Sequence, residues 1–534
     1  MKRRHFLAAG AALPLLSCTP RPPSRPALPP GELGGADLVL GHRLRLRDFP
    51  VPDRTRHTDT LIVGAGIGGL SAAWWLQRHG HDDFLIAELE AAPGGNARSG
   101  KNDFTRFPLG AHYLPLPGPE AAYVRLLLND LGVLQGDPNA LRPRYDERYL
   151  CHAPHERVWF DGIWEEGLLP RRGASTGEHA EFERFFSQMS ELKRARDAFG
   201  RRLFALPIAL ASRDARWLLL DRLTMAEWLT AEGYRSPRLH WLANHACLDD
   251  YGTDYREVSA WAGLHYFACR DGLGEHSGPD MVLTAPEGNG WIVDRLGARL
   301  TDHLLTRAVC TRLEQERHRV TAEIFLADEN RSIRIEARQA IWAAPLFVLP
   351  QVAETLPAWL KSLAHSDSHA PWLVANLSLT APPADTLGAP LAWDNVLHGA
   401  PGLGYVVATH QQLRSAPAGP TVLTWYRAFP GQPEAARALL RSASHGAWAA
   451  TILDELARAH ADLRDLTSRI DLYRHGHAMI RPLPGVISAA ARHQAASAGW
   501  GRVRFASADV SGLSLFEEAN WQGVQAARRV LGGR

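Results

Sequence analysis

The sequence predicts an α/β protein of two domains, and three observations carry that prediction. An apolar run, Thr60-Leu61-Ile62-Val63, ends in Gly64-Ala65-Gly66-Ile67-Gly68-Gly69, and the helix-compatible segment Leu70 to His79 stops at Gly80. A second apolar run, Phe84-Leu85-Ile86-Ala87, ends in Glu88, roughly 20 residues beyond the glycines. The chain has 534 residues with 46% hydrophobic content, enough to bury a large core and build two domains.

The first thirty residues read as an address and a tether. Lys2-Arg3-Arg4-His5-Phe6-Leu7 resembles a twin-arginine export signal, and the apolar run Phe6 to Leu16 fits a signal core. A bilayer span takes about 20 residues, more than this run supplies. Leu15-Leu16-Ser17-Cys18 resembles a bacterial lipobox, which would make Cys18 a lipidated membrane anchor, although Leu16 replaces the favoured small residue. The expectation is export to the periplasm, with a merely basic N-terminus as the alternative. Thr19 to Pro30, rich in Pro and Arg, reads as an extended linker.

The glycine run is a dinucleotide-binding turn. Gly64 allows the tight strand-to-helix turn, Gly66 admits a pyrophosphate to the backbone, and Gly69 lets helix and strand pack closely, with Gly68 beside it. The helix N-terminus offers unpaired N–H groups to phosphate, and Glu88 is placed to hold ribose hydroxyls. Small residues open many strand–helix turns, so Glu88 carries much of the argument.

The segment Glu88-Leu-Glu-Ala-Ala-Pro-Gly94-Gly95-Asn96-Ala97-Arg98-Ser99 resembles the flavin amine oxidase superfamily, which also includes phytoene desaturases and protoporphyrinogen oxidases. That pattern is an acid followed by a Gly-Gly-basic turn near the FAD phosphates. Asn96 stands where the basic residue usually is, and Arg98 is the alternative source of charge; taken alone, Gly94-Gly95 is also an ordinary surface turn. Pro286-Glu-Gly288-Asn-Gly290-Trp-Ile-Val-Asp-Arg-Leu296 resembles the glycine turn before the helix that re-enters the FAD domain. Ala308-Val309-Cys310 resembles the adenine-side strand, with Val309 or Cys310 in contact, and Ala343-Ala344-Pro345 closes that piece. Val503-Arg-Phe505-Ala506-Ser507-Ala508-Asp509 and Glu517-Glu518-Ala519-Asn520-Trp521-Gln522-Gly523 look like the closing motif, with Asp509 in the acidic position and Glu517 in the flavin-facing helix. Ser507-Ala508 replaces the usual glycine, which leaves the register open by one residue. An acidic first turn also suits any helix electrostatically.

On that resemblance the fold is a Rossmann-like FAD-binding domain built from residues 31–115, 286–349 and 491–534, with a discontinuous α+β substrate domain of residues 116–285 and 350–490. Helical patterns run over Ala180–Phe199, Ser212–Leu229 and Pro433–His460, and strand-like runs over Trp372–Leu379 and Thr421–Trp425. Trp393, Tyr405, Trp425, Tyr426 and Trp521 are candidate lining residues, of which two or three are expected in the cavity.

Many members place a lysine on the strand after Ala-Ala-Pro. The corresponding run, Ala370 to Leu377, has none, and Lys361 falls on an earlier helical segment. Gly110-Ala111-His112-Tyr113 resembles the segment passing the flavin, which makes His112 the first acid/base candidate and His477 the second. A histidine merely satisfied by hydrogen bonds is at least as good a reading of His112, and His475-Gly-His477 is most simply a strand or loop feature. The expected cofactor is FAD held without a covalent bond, since no cysteine follows Cys310.

Three readings stay open: an amine oxidase with an acidic, aromatic cavity; a desaturase or dehydrogenase with an apolar tunnel; and a non-catalytic scaffold. The partners expected are a small-molecule substrate and an electron acceptor, oxygen or a quinone. A net charge of +2 and the lack of a long basic block argue against nucleic acid. Cys151, Cys247, Cys269 and Cys310 have no metal or redox spacing, so no metal is expected and buried thiols are the simplest reading.

Overall fold

A computed structural model describes residues 28–278, 280–412 and 419–532. The twin-arginine and lipobox motifs, Cys18 among them, and most of the linker lie outside the described residues. The end of the linker is docked: Ile470 N–H donates to the Pro30 carbonyl at 2.9 Å.

The first sheet is a doubly wound unit. Strand Pro52–Val63 lies between Phe84–Ala87 and Arg331–Trp342, parallel to both, and Val503–Phe505 pairs in parallel with Arg331–Trp342. Ala308–Gln315, Val320–Leu326 and Arg331–Trp342 form an antiparallel meander on one side. The parallel strands are apolar and buried at their ends, as strands covered on both faces require.

Helix Ile67–Arg78 packs on this sheet beside the C-terminal helix Phe516–Gly532, and glycines set the spacing. A Cβ on Gly69 would sit 1.9 Å from the Gly64 carbonyl oxygen; one on Gly68 would sit 2.0 Å from that of Ala506; one on Gly523 would sit 2.2 Å from that of Gly68.

The second sheet has eight strands: Leu33–Gly35, Thr467–Ile480, His369–Leu379, Thr421–Ala428, Gly404–Val407, Asp394–Leu397, Glu156–Phe160 and Ile163–Glu166, in that order. Strand alternation divides its two faces. Leu373, Ala375 and Leu377 join Leu423 and Trp425 under helices Pro433–Ser442 and His445–Leu456. Ala370, Trp372 and Val374 join Tyr426 and Trp393 on the other face. A third core holds the helices Thr176–Arg194, Met225–Ala231, Pro237–Tyr251 and Ala260–Ala268.

Several segments cross the expected boundaries. Leu33–Gly35, expected with the dinucleotide-binding sheet, pairs in parallel with Leu472–Arg474 in the other sheet. Ala122–Asp130, expected with the substrate domain, packs on the C-terminal helix, and Leu360 and Leu363 of Ala358–Ser366 join the core of the first sheet. The 433–460 helical pattern is two helices, broken where Ser444 caps the second by accepting from Ala447 N–H.

Candidate active site

The glycine turn leaves a cradle. Of Gly64, Gly66, Gly68 and Gly69, Gly66 faces open space: a Cβ there would meet nothing within 4 Å. Gly66 caps the helix with no side-chain hydrogen bond, so the first-turn N–H groups keep their capacity for an anion. The second turn closes on the first, with Gly94 N–H donating to the Ala65 carbonyl at 2.7 Å and Gly95 beside Gly66.

Glu88 is buried at the end of its strand. Its carboxylate accepts from Ala65 N–H at 2.6 Å and from Glu90 N–H at 2.9 Å. Burial pushes its pKa up, and those two N–H groups pull against it. A carboxylate has about four acceptor positions, so two remain for ribose hydroxyls. Ala308 N–H donates to the Glu88 carbonyl at 2.8 Å, which brings the Val309–Cys310 strand alongside. Cys310 is a buried thiol whose Sγ faces the Arg312 carbonyl. These residues fit the adenosine and pyrophosphate of a dinucleotide.

The later members of the motif bind protein groups. Asn96 is exposed and donates to the Ala478 carbonyl at 2.5 Å. Arg98 pairs with Glu90 at 3.2 Å and donates to the Tyr473 hydroxyl, so its charge is answered within the chain. Asp509 is buried with both oxygens engaged: Leu346 N–H donates to one at 2.8 Å, and His369 Nε2 lies 3.1 Å from the other. Asp509 thus clasps its own segment to those of Leu346 and His369.

The 110–113 segment is the hub of the domain junction. Ala111 N–H donates to the Asn96 carbonyl at 2.8 Å, and Asn289 N–H donates to that of Ala111 at 3.0 Å. Gly288, at φ +58°, passes so close that a Cβ would sit 2.8 Å from His112 Cα. His475 Nε2 reaches the Leu109 carbonyl at 2.7 Å. The glycine turn at 286–290, the Gly94–Gly95 turn and strand Thr467–Ile480 thus converge on His112.

Around the His112 ring stand Tyr426 at 4.9 Å, Tyr113 at 5.2 Å and Trp393 at 5.8 Å between centroids. Trp372 stacks on Tyr426. Burial drives His112 down to about 4, so its imidazole is neutral. His477 lies elsewhere, stacked on Phe347 at 4.6 Å and 6.3 Å from His369, with burial and nearby arginines lowering it to about 3. The structure does not bring the two histidines together.

Two of the five candidate aromatics, Trp393 and Tyr426, line this cage. Trp425 and Tyr405 point to the other face of the sheet, where Trp425 donates to Glu455 at 2.8 Å and Tyr405 bonds His460 at 2.6 Å. Trp521 packs on Tyr123, on the far side of the C-terminal helix.

Sequence reasoning missed the carboxylates behind the cage. Tyr113 hydroxyl lies 3.4 Å from Asp249 and from Asp250, and Tyr426 hydroxyl donates to Asp394 at 3.3 Å. Burial, and then Asp250, hold Asp249 up at about 7; burial, and then Asp249 and Glu156, hold Asp394 well above the carboxylate range. Both side chains keep partial exposure. Arg270 is the nearby cation, bonded to Asp250 at 2.7 Å and to Tyr113 hydroxyl at 3.2 Å. Glu517, on the first turn of the C-terminal helix, is buried and raised to about 7 by that burial, with Arg270 opposing. Four described cysteines are buried free thiols.

The fold as a whole resembles those of two solved amine oxidases. A putrescine oxidase solved with putrescine bound superposes with a TM-score of 0.64 over 90% of this chain and 100% of its own, at 15% identity. Cyclohexylamine oxidase from Brevibacterium oxydans gives 0.63 over 89% and 99%, at 18% identity.

The chain has the flavin amine oxidase fold.

Residues 62–131 of this flavin amine oxidase fold match the NAD(P)-binding Rossmann-like domain family. By sequence the chain is similar to the oxidoreductase PigB of a Serratia species, 22% identical over 61% of this chain and 52% of that protein. It is also similar to a Baeyer-Villiger monooxygenase of Pseudomonas aeruginosa, 42% identical over 55 residues, a tenth of each chain. It thus spans about half of one curated relative and far less of the other.

Proposed function

We propose that the chain is an FAD-dependent oxidoreductase of the amine oxidase type acting on a small, positively charged amine. The observation that carries this reading is the cage of Tyr113, Trp393 and Tyr426 around His112, backed by Asp249 and Asp394. Aromatic faces attract a cation, and like-charged buried carboxyls are relieved when a cation enters between them. A site for an apolar desaturase substrate gains nothing from two unpaired carboxyls, which are costly to bury.

Bound FAD would supply the two-electron acceptor for a substrate C–H bond. Gly66, Gly95 and the helix at Ile67 would hold its phosphates and Glu88 its ribose. The segment Gly110–Tyr113 would border the ring, and the cage would orient the substrate against it. No thiol follows Cys310, so retention rests on these contacts and on burial, without a covalent link.

Export through the Arg3–Arg4 signal, with attachment at Cys18, belongs to the same proposal and rests on sequence alone. The test is anaerobic flavin reduction against a panel of amines and uncharged apolar compounds. Bleaching by an amine supports the reading; bleaching by the apolar compounds alone overturns it.

A further inference from the structure

We propose that Asp249 is the base that takes the proton of the bound substrate ammonium, a role resting on the amine reading above.

Two acids stand side by side at the end of helix Pro237–Tyr251, and the structure gives them unlike neighbours. Asp250 is the counter-ion of Arg270, whose Nη2 lies 2.7 and 3.0 Å from its two oxygens. Among the described residues, the hydrogen bond of the Asp249 carboxyl is to Tyr113 hydroxyl, at 3.4 Å through Oδ2. Oδ1 of Asp249 makes no hydrogen bond among the described residues, and the residue keeps partial exposure. Tyr113 packs edge-on against Trp393 at 5.9 Å and beside His112, so Asp249 stands directly behind the cage. Asp394 approaches the same cage from the eight-stranded sheet through Tyr426.

The chemistry needs such a group. An ammonium nitrogen has no lone pair, and its neighbouring C–H cannot be oxidised until one N–H is lost. In the step proposed, one N–H bond of the ammonium breaks and one O–H bond forms at Asp249 Oδ1. The nitrogen keeps the electron pair, and no electrons are exchanged. Neither His112, neutral and weakly basic when so buried, nor a lysine on strand His369–Leu379 serves this need. The other groups facing Asp249 are Asp250, Arg270, Tyr113, Tyr266, Asp394 and Tyr426, and burial together with their balance leaves it at about 7, where proton exchange at neutral pH is easy.

The experiment compares the FAD-loaded wild type with Asp249→Asn and Asp249→Glu, using putrescine and cyclohexylamine as probes. Anaerobic flavin reduction is followed from pH 5 to 9, and probe binding is measured by calorimetry in two buffers of different ionisation enthalpy. The expected results are a rate for Asp249→Asn lowered on the order of 10²-fold at neutral pH, loss of the acid limb, and loss of buffer-dependent binding heat. Asp249→Glu is expected to restore the limb, which separates the role from a folding defect. Should Asp249→Asn keep the wild-type limb and proton exchange while the wild type reacts, this assignment falls and the amine reading stands. Should the wild type neither bind nor react with any amine, both fall together.

Discussion

His369 Nε2 and Asp509 Oδ1 lie 3.1 Å apart, and the other Asp509 oxygen accepts the Leu346 N–H at 2.8 Å. The acid of the closing motif therefore ties the C-terminal segment to the first long strand of the second sheet. Asp509→Asn is expected to cost about 1.5–3 kcal/mol, the usual value of hydrogen bonds to a charged group, while FAD content stays near one per chain. Urea unfolding and flavin absorbance read the two quantities. Burial pushes this carboxyl up, but His369 and the Leu346 N–H pull it below its ordinary value. Its stabilisation is thus complete above the ordinary carboxylate range and is lost as pH falls through the lowered folded value. Asp509→Asn should flatten that acid-side loss.

Gly66 and Gly68 should fail in different ways. Gly68→Ala drives a methyl into the Ala506 carbonyl and should cost about 1–3 kcal/mol through overpacking. Gly66→Ala meets no protein atom, so its unfolding midpoint should change little while FAD retention drops. Equal loss of stability in both variants would contradict the cradle.

Glu518 predicts a loss of stability on the alkaline side. It is fully buried, accepts from Ile208 N–H at 2.6 Å, and burial raises it to about 7. A carboxyl raised in the folded state contributes most below its unfolded value, near 4.5, and that contribution is lost as pH rises through about 7. Glu518→Gln should therefore melt higher than the wild type at pH 8 and show a shallower decline from pH 5. Melting curves across that range decide it.

Acid precipitation should release the flavin. The described thiols are buried, and burial raises Cys151, Cys247, Cys269 and Cys310 alike. Flavin in the supernatant is the expected outcome. A pellet that stays yellow after washing would point to a covalent bond, with His112 the residue to examine.

What could be read from the sequence was local. The turn from Gly64 to Gly69 announces its geometry within a few residues, because the positive φ of Gly64 and backbone clashes at Gly68 and Gly69 dictate glycine there, and Glu88 follows at the end of the next strand. The aromatics were half legible: Trp425 and Tyr426 are adjacent, and strand alternation sends one under helix His445–Leu456 and the other into the cage. The face assignment needs the sheet's packing, which the sequence does not display. Asp249 and Asp394 were invisible for a stronger reason, since the end of a helix and a strand nearly 150 residues further along the chain bring them together. Arg98 and Asp509 have the right residue types, but their partners Tyr473 and His369 lie 375 and 140 residues away in sequence.

The pairing of Leu33–Gly35 with Leu472–Arg474, and of Ala340 with Val503, has a temporal meaning. A ribosome delivers the nucleotide cradle early, but its back wall, Ala506 against Gly68 and Gly523 against the same helix, arrives several hundred residues later. Both sheets wait on strands far apart in the chain, and such long-range pairing folds slowly. The emerging chain must therefore stay soluble with both sheets unfinished until those strands have appeared.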